Sequence, residues 1–267
     1  MTRLNRFCYI TYGDPMRPPV LFLHGFMGNT AEWSEIVPFF FGKFFCIVVD
    51  LPGHGRTAVQ DEDDYRMENC ADNLVMFLDA LNIYKCRLVS YSMGGRLAFY
   101  LAVFYPERFE KVVIESASPG LKTRQERHAR VIHDCKVAQK LEELPFTQFL
   151  RTWYSQPLFS SLDKDSKQYQ KMIQKRMEND AEKLSLSLKL MGAGVQPSLW
   201  DILDQITADV LLIAGANDSK YKQIACEVAE RCRRAKVAII ENAGHNVHFE
   251  NRNEYVKHVD LFLKGKE

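Results

Sequence analysis

Short runs of β-branched, aliphatic and aromatic residues recur along the chain: Val20 to Leu23, Phe44 to Val49, Cys86 to Val89, Val112 to Ile114, Val210 to Ile213 and Val237 to Ile240. Each is bounded by turn-forming residues and lacks a regular polar alternate. That pattern predicts strands covered on both faces, as in a parallel sheet. Between several of them the apolar positions switch to three-and-four spacing, as in Leu97, Tyr100, Leu101 and Phe104, or Tyr255, Val256, Val259, Phe262 and Leu263. Such spacing places one apolar stripe on a helix. Strand, helix, strand repetition predicts an α/β fold with a doubly wound, mostly parallel sheet.

The alternation stops after Ser118 and resumes near Asp209, leaving about ninety residues, too many for a loop inside a compact domain. Their pattern is mostly helical, interrupted at Pro145, Pro157 and Pro197. We expect a helical cap, residues 119–197, inserted into a core built from residues 1–118 and 198–267. Residues 121–197 hold fourteen Lys or Arg against nine Asp or Glu, a surplus of five positive charges in a chain whose net charge is +1. The rest of the chain is therefore slightly acidic, and a basic cap above it would draw an anionic ligand into the cleft between them.

Composition narrows the partners. With 46% hydrophobic and 26% charged residues the chain is rich enough to bury a large core. Its near-neutral charge, with signs intermixed, gives no reason to expect nucleic acid or an anionic membrane as partner, and favours a small molecule. No run approaches the length of a membrane-spanning helix, and the MTRLNRFCYI start lacks the apolar stretch of a signal peptide, so a cytoplasmic protein is expected. Seven cysteines without a C-x-x-C pair suit a reducing compartment, with Cys46 and Cys86 as small core residues. No disulfide, metal site or cofactor is expected; Cys226 and Cys232 lie six apart, on different faces of a predicted helix. A monomer or weak homo-oligomer is the expected state.

The candidate chemistry begins where the strand CRLVSY runs into SMGGRLAFY, which opens a helix. Ser92 stands at that strand-to-helix turn, with Gly94 two residues on and Ser90 where a second glycine is usual in the G-x-S-x-G nucleophile elbow. A serine hydroxyl is a poor nucleophile and a poor base until a histidine takes its proton, and the histidine needs a carboxylate to hold its tautomer. Asp218, in AGANDSK, and His245, in ENAGHNVHFE, each follow a predicted strand, so both should project from the sheet edge that carries Ser92. Their order, Ser, Asp, His, is that of the α/β-hydrolase fold, which the chain resembles here. In LFLHGFMG, glycines would let backbone N–H groups face the pocket, so the amides of Phe26 and Met93 are expected to form an oxyanion hole. His24 is expected to brace that loop, His54 in DLPGHG to be structural, and His248 to be a polar surface or helix-start residue.

FLHGFMG, VDLPGHG, SYSMGGR, ESASPGL, WYSQPLF, GVQPSLW and AGHNVHFEN, spread over residues 22–251, together resemble the 2-succinyl-6-hydroxy-2,4-cyclohexadiene-1-carboxylate synthases of menaquinone biosynthesis. The discriminating features are Tyr91 and Arg96 around the serine, SPGL, and Trp153-Tyr154-Ser155-Gln156-Pro157. The resemblance implies a lyase of menaquinone or phylloquinone biosynthesis that abstracts a ring proton and eliminates pyruvate from an enolpyruvyl ether, without water or an acyl-enzyme. Its substrate carries three carboxylates, which calls for fixed cations, and arginine offers a planar fork for each. Arg96, four residues after Ser92, is one candidate. Matching the family pattern makes Arg130 and Arg176 the others, with Arg124 and Arg127 as rivals for the first cap position, and implies that Tyr91 and Trp153 line the pocket. Two other readings use the same residues: a hydrolase of ester, lactone or carbon–carbon bonds working through an acyl-enzyme, and a binding protein of this fold without turnover.

Overall fold

The computed structural model describes residues 7–265; the first six residues of the MTRLNRFCYI segment, and residues 266 and 267, lie outside it. Seven strands form one sheet in the order β1-β3-β2-β4-β5-β6-β7. They are β1 (Tyr9–Tyr12), β2 (Pro19–Leu23), β3 (Phe45–Val49), β4 (Cys86–Tyr91), β5 (Phe109–Glu115), β6 (Asp209–Gly215) and β7 (Ala235–Ile240). All neighbours pair in parallel except β1, which runs antiparallel along β3 with Tyr9 opposite Val49. The hydrophobic pattern does not announce β1. Its two central residues are exposed, so it lacks the apolar run that marks the others.

Alternate residues of the parallel strands feed different cores, as a period of two requires. Leu21, Leu23, Ile47, Val49, Leu88 and Val112 pack on one face with helices α1 (Met67–Ala80), α2 (Met93–Phe104) and α7 (Ser219–Arg231). Val20, Phe22, Cys46, Val48, Val89 and Val113 pack on the other, where Trp33 and the stripe Tyr255, Val259 and Leu263 cover them. Cys46, Cys70 and Cys86 are small core residues.

Between β5 and β6 lie helices α3 (Arg124–Glu143), α4 (Phe146–Tyr154), α5 (Lys167–Arg176) and α6 (Ala181–Met191). Local sequence fixes their starts. Thr123 and Glu126 form a reciprocal capping box on α3, Pro145 precedes α4, Ser166 caps α5 and Asp180 caps α6. Each such cap stabilises its helix by about 1 kcal/mol. The helical insert has its own apolar cluster, including Leu141, Phe149, Leu150, Tyr154, Phe159, Met172 and Leu184, and one core residue, Met27, is buried in it. Two more helices close the chain, α8 (Val247–Glu250) and α9 (Arg252–Lys264). Among the described residues no helix is long and apolar enough to cross a membrane.

Because β2, β4, β6 and β7 run in parallel, the loops after them emerge at one rim of the sheet. His24 to Gly28, Ser92, Asp218 and His245 sit in those four loops, under the helical insert.

Candidate active site

The strand β4 ends at Tyr91, and α2 begins at Met93, leaving Ser92 alone at the bend with φ 49° and ψ −104°. An L residue at positive φ is strained, and it persists because its surroundings over-determine it. Ser92 N donates to Glu115 O, Arg96 N to Ser92 O, and Gly94 N to His24 O. Gly94 has no alternative at this bend: a Cβ there would stand 2.6 Å from Leu23 O and 2.7 Å from His24 O. Ser90 is tolerated where glycine is usual because its hydroxyl donates to Val113 O at 2.7 Å across the sheet.

Ser92 Oγ lies 3.2 Å from His245 Nε2, and His245 Nδ1 lies 3.0 Å from Asp218 Oδ2. An ionised carboxylate only accepts, so Nδ1 carries the proton and Nε2 is left to accept from the serine hydroxyl. Asp218 is also the N-cap of α7, where Oδ1 accepts from Tyr221 N at 3.1 Å. Both its oxygens are thus fixed. Glu250 holds the histidine loop by accepting from Gly244 N at 2.9 Å and Asn246 N at 3.1 Å. Tyr221, Tyr91 and Phe159 surround the imidazole at 4.8, 5.6 and 5.9 Å.

On the other side of the serine, the loop after β2 is braced by His24. Leu51 N, an obligate donor, gives its proton to Nε2 at 2.9 Å, so Nδ1 bears hydrogen and donates to Gly25 O at 2.7 Å. Burial lowers the His24 pKa and keeps the ring neutral, consistent with that tautomer. The Gly25 carbonyl and the Phe26 N–H belong to one peptide group, so this bond orients the Phe26 amide. The Met93 amide is at the first turn of α2, where N–H groups have no partner within the helix. Phe26 and Met93 line the same cavity as Ser92. His54 is buried too, 5.0 Å from the His24 ring, with Nδ1 at 3.0 Å from Pro52 O.

That cavity, of about 490 Å³, lies between the sheet rim and the insert. Tyr91, Arg96, Arg130, Trp153 and Arg176 all reach its wall, whereas Arg124 and Arg127 do not. Arg127 instead donates to Leu121 O at 3.2 Å. Trp153 stands 5.4 Å from Phe26 and forms apolar wall. Arg96 donates to Gln196 Oε1 at 3.0 Å, and Arg130 Nε to Asp134 Oδ1 at 2.7 Å; each arginine keeps further N–H groups. Burial, then the charge of Arg130, lowers the Arg96 pKa to about 10, so it remains a cation at neutral pH. Lys220, outside the motifs that the sequence offers, also lines the cavity, and partial desolvation and Arg130 lower its pKa. Cations that repel one another in a cleft are a receptor for anions. A signal was available: Lys220 stands two residues after Asp218 on the first turn of a helix that starts at the rim.

Arg176 and His248 have partners that their neighbours in sequence do not indicate. Arg176, expected to contact a substrate carboxylate, reaches the cavity wall but is 4% exposed and paired with Glu32 at 2.5 Å; it also donates to Tyr154 Oη at 3.2 Å and Met27 O at 3.1 Å. Burial opposes its charge, but Glu32 outweighs this and raises its pKa. Its charge is balanced inside the protein. His248, expected as a polar surface or helix-start residue, does stand in the first turn of α8 but is not at the surface: it is buried at 3% exposure between Glu115 Oε2 at 2.8 Å and Glu32 Oε1 at 3.3 Å. Burial disfavours its charged form, yet Glu115 and then Glu32 prevail and raise its pKa to about 9. Neither partner adjoins it in sequence, so spacing could not show them. Among the described residues no group of three His, Cys, Asp or Glu stands where it could hold a metal ion.

Comparison with known proteins agrees with this architecture. A sequence profile of the alpha/beta hydrolase fold matches residues 18–252. The 2-succinyl-6-hydroxy-2,4-cyclohexadiene-1-carboxylate synthase of Salmonella typhimurium is 35% identical over 244 residues, covering 90% of this chain and 91% of that protein. The chloroplastic protein PHYLLO of Arabidopsis thaliana is 33% identical over 259 residues, 91% of this chain but 15% of PHYLLO. The solved structure of MenH from S. aureus superposes with a TM-score of 0.91 at 29% identity, covering 96% of this chain and 97% of that one.

Proposed function

The chain belongs to the alpha/beta hydrolase fold family and, within it, to the family of the 2-succinyl-6-hydroxy-2,4-cyclohexadiene-1-carboxylate synthases, and we propose that it is a carbon–oxygen lyase of menaquinone or phylloquinone biosynthesis. Its substrate is a cyclohexene with an enolpyruvyl ether, a succinyl group and a ring carboxylate; its products are pyruvate and the cyclohexadiene. The observation that carries the reading is the pairing of a serine–histidine relay with cations on the same cavity wall: Ser92 faces His245, and Arg96, Arg130 and Lys220 line the space beside them.

In this mechanism the substrate's carboxylates are held by the cations, which orients the ring over Ser92. Ser92 Oγ accepts a ring proton as His245 accepts the hydroxyl proton through Nε2, and Asp218 stabilises the resulting imidazolium. The electron pair released from the C–H bond moves toward the succinyl carbonyl, whose oxygen gains charge facing the Phe26 and Met93 amides. As that charge returns, the ring gains a double bond and the carbon–oxygen bond to the enolpyruvyl group breaks; the enolate of pyruvate leaves with its electron pair and takes up at carbon the proton released by the His245 imidazolium, which restores the relay. Atoms balance without water. Trp153 and Tyr91 give the ring an apolar bed. The proposal includes a cytoplasmic enzyme whose partner is this tricarboxylate.

The test supplies the enolpyruvyl substrate, freshly made by the enzyme that precedes it, and follows pyruvate. Pyruvate release at enzyme-dependent rate, with no oxygen incorporated from labelled water into the ring product, is the expected result. Hydrolysis of esters through an acylated Ser92, with no pyruvate release, would replace this reading by that of a hydrolase.

A further inference from the structure

We propose that Asn179, with Arg176, is a positioning residue through which the helical insert fixes the Phe26 amide of the oxyanion hole. The inference rests on the reading of Phe26 N–H as an oxyanion donor, and it concerns what holds that donor still.

Phe26 is followed by Met27, whose φ is 63°. A long L side chain adopts that left-handed conformation only where its surroundings impose it. The side chain of Met27 is fully buried in the apolar cluster of the insert. Its carbonyl accepts two hydrogen bonds, both from the insert: Asn179 Nδ2 at 2.9 Å and Arg176 Nη1 at 3.1 Å. Arg176 is in turn held by Glu32, on the 3-10 turn Thr30–Trp33 that follows this loop.

Asn179 is 8% exposed and uses its amide on three sides. The same Nδ2 donates to Arg176 O at 3.1 Å, at the C-terminal end of α5, while Oδ1 accepts from Gly55 N at 3.1 Å, in the loop after β3. One side chain thereby joins the insert to two core loops. The peptide before Phe26 is fixed from the core by His24 on Gly25 O, and the peptide after Met27 is fixed from the insert by Asn179 and Arg176. Phe26 lies between the two anchors. An oxyanion donor stabilises developing charge only if it is already aimed, with errors of a fraction of an ångström costing rate. Loosening the insert-side anchor would therefore disturb chemistry more than substrate binding, since Asn179 is absent from the cavity wall.

Two variants isolate the contact. Asn179→Asp keeps the shape and the acceptor for Gly55 N but turns an oxygen toward the Met27 carbonyl; Asn179→Ala removes all three bonds. The probe is diethyl p-nitrophenyl phosphate, which needs Ser92 and the oxyanion donors and has no carboxylate for the arginines. Ser92 Oγ bonds to phosphorus, its proton passes to His245, and p-nitrophenolate leaves with the electrons of the broken P–O bond. Its absorbance gives the inactivation rate, and circular dichroism selects a temperature at which each variant is folded.

We expect inactivation to slow at least tenfold in both variants, and kcat for pyruvate release to fall by a similar factor with KM within about threefold. A folded Asn179→Asp enzyme inactivated at the wild-type rate overturns the proposal, as does a variant in which only KM changes. If neither variant is folded at any temperature, Asn179 is a folding residue, and the positioning proposal is likewise rejected. The phosphate ester does not depend on the natural substrate. Normal Ser92 inactivation in the wild type without pyruvate release would therefore refute the lyase reading alone.

Discussion

Arg176 Nη2 and Glu32 Oε2 lie 2.5 Å apart, with both side chains 4% exposed, and they join the helical insert to the loop region after β2. The pair does not stand alone. Glu32 also reaches His248, and His248 reaches Glu115 at the end of β5. Cation and anion therefore alternate through Arg176, Glu32, His248 and Glu115 behind the cavity wall. A buried charge is costly unless its neighbour opposes it. The order of signs lets four ionisable groups share one low-dielectric region.

Removing a member should expose that cost. Glu32→Gln leaves the Arg176 guanidinium buried opposite a neutral amide, and a broken buried pair typically destabilises by about 3–5 kcal/mol. Urea melts of the variant should show a loss of that order. The double variant Glu32→Gln, Arg176→Met should recover part of it, because the stranded charge is gone. A single-variant loss below about 1 kcal/mol, the range of exposed pairs, would contradict the role given to this contact.

The same network makes stability depend on alkaline pH. His248 has its pKa raised from 6.5 to about 9, against burial, by Glu115 and Glu32. A base whose folded pKa is raised contributes stability that is complete below its unfolded value and is lost as pH climbs through the folded one. Urea midpoints should fall between about pH 6.5 and 9, and the fall should be smaller in His248→Gln, which has no proton to lose there. Equal pH dependence in both proteins would show that His248 is not the group responsible.

Ser92→Ala should lower turnover by about three orders of magnitude or more while the protein stays folded. Removing one hydroxyl leaves the cations and the oxyanion amides in place, so KM should change far less than kcat. Steady-state pyruvate release, with circular dichroism as the control, measures both. Turnover near that of the wild type would exclude Ser92 as the proton acceptor.

How far the sequence could be read follows from which signals are local. Val20 to Leu23 in β2 and Val210 to Ile213 in β6 are continuous buried apolar runs and are visible by composition alone, while β1 is half exposed at an edge and leaves little trace. Ser92, Asp218 and His245 could be placed at one rim because each follows a parallel strand, and the structure brings them within hydrogen-bond reach. Partners across the fold are another matter. Nothing near Arg176 in sequence indicates Glu32, and nothing near His248 indicates Glu115. The pairing of Arg176 and the burial of His248 escaped the sequence for one reason: burial and pairing are tertiary facts. The Asn179 contacts were invisible for the same reason.

The anion-binding reading has a salt-dependent signature. Arg96, Arg130 and Lys220 line one cavity, and burial first and then Arg130 lower the pKa values of the other two, so their charges act on one another and on any ligand between them. Arg96 has the more buried position, and its loss should cost about 2–4 kcal/mol in kcat/KM, since a carboxylate would lose a charged, directional partner. Arg96→Lys should restore only part of this, because an ammonium lacks the planar fork. Lys220 stands exposed at the cavity's edge, so its contribution should be smaller and more easily screened. Raising ionic strength from about 0.01 to 0.15 M shortens the screening length from about 30 to 8 Å. The wild-type KM should rise over that range, and the rise should be shallower in Lys220→Ala. If KM is indifferent to salt in the wild type and Arg96→Ala costs less than about tenfold, the cavity does not recognise its substrate through these charges.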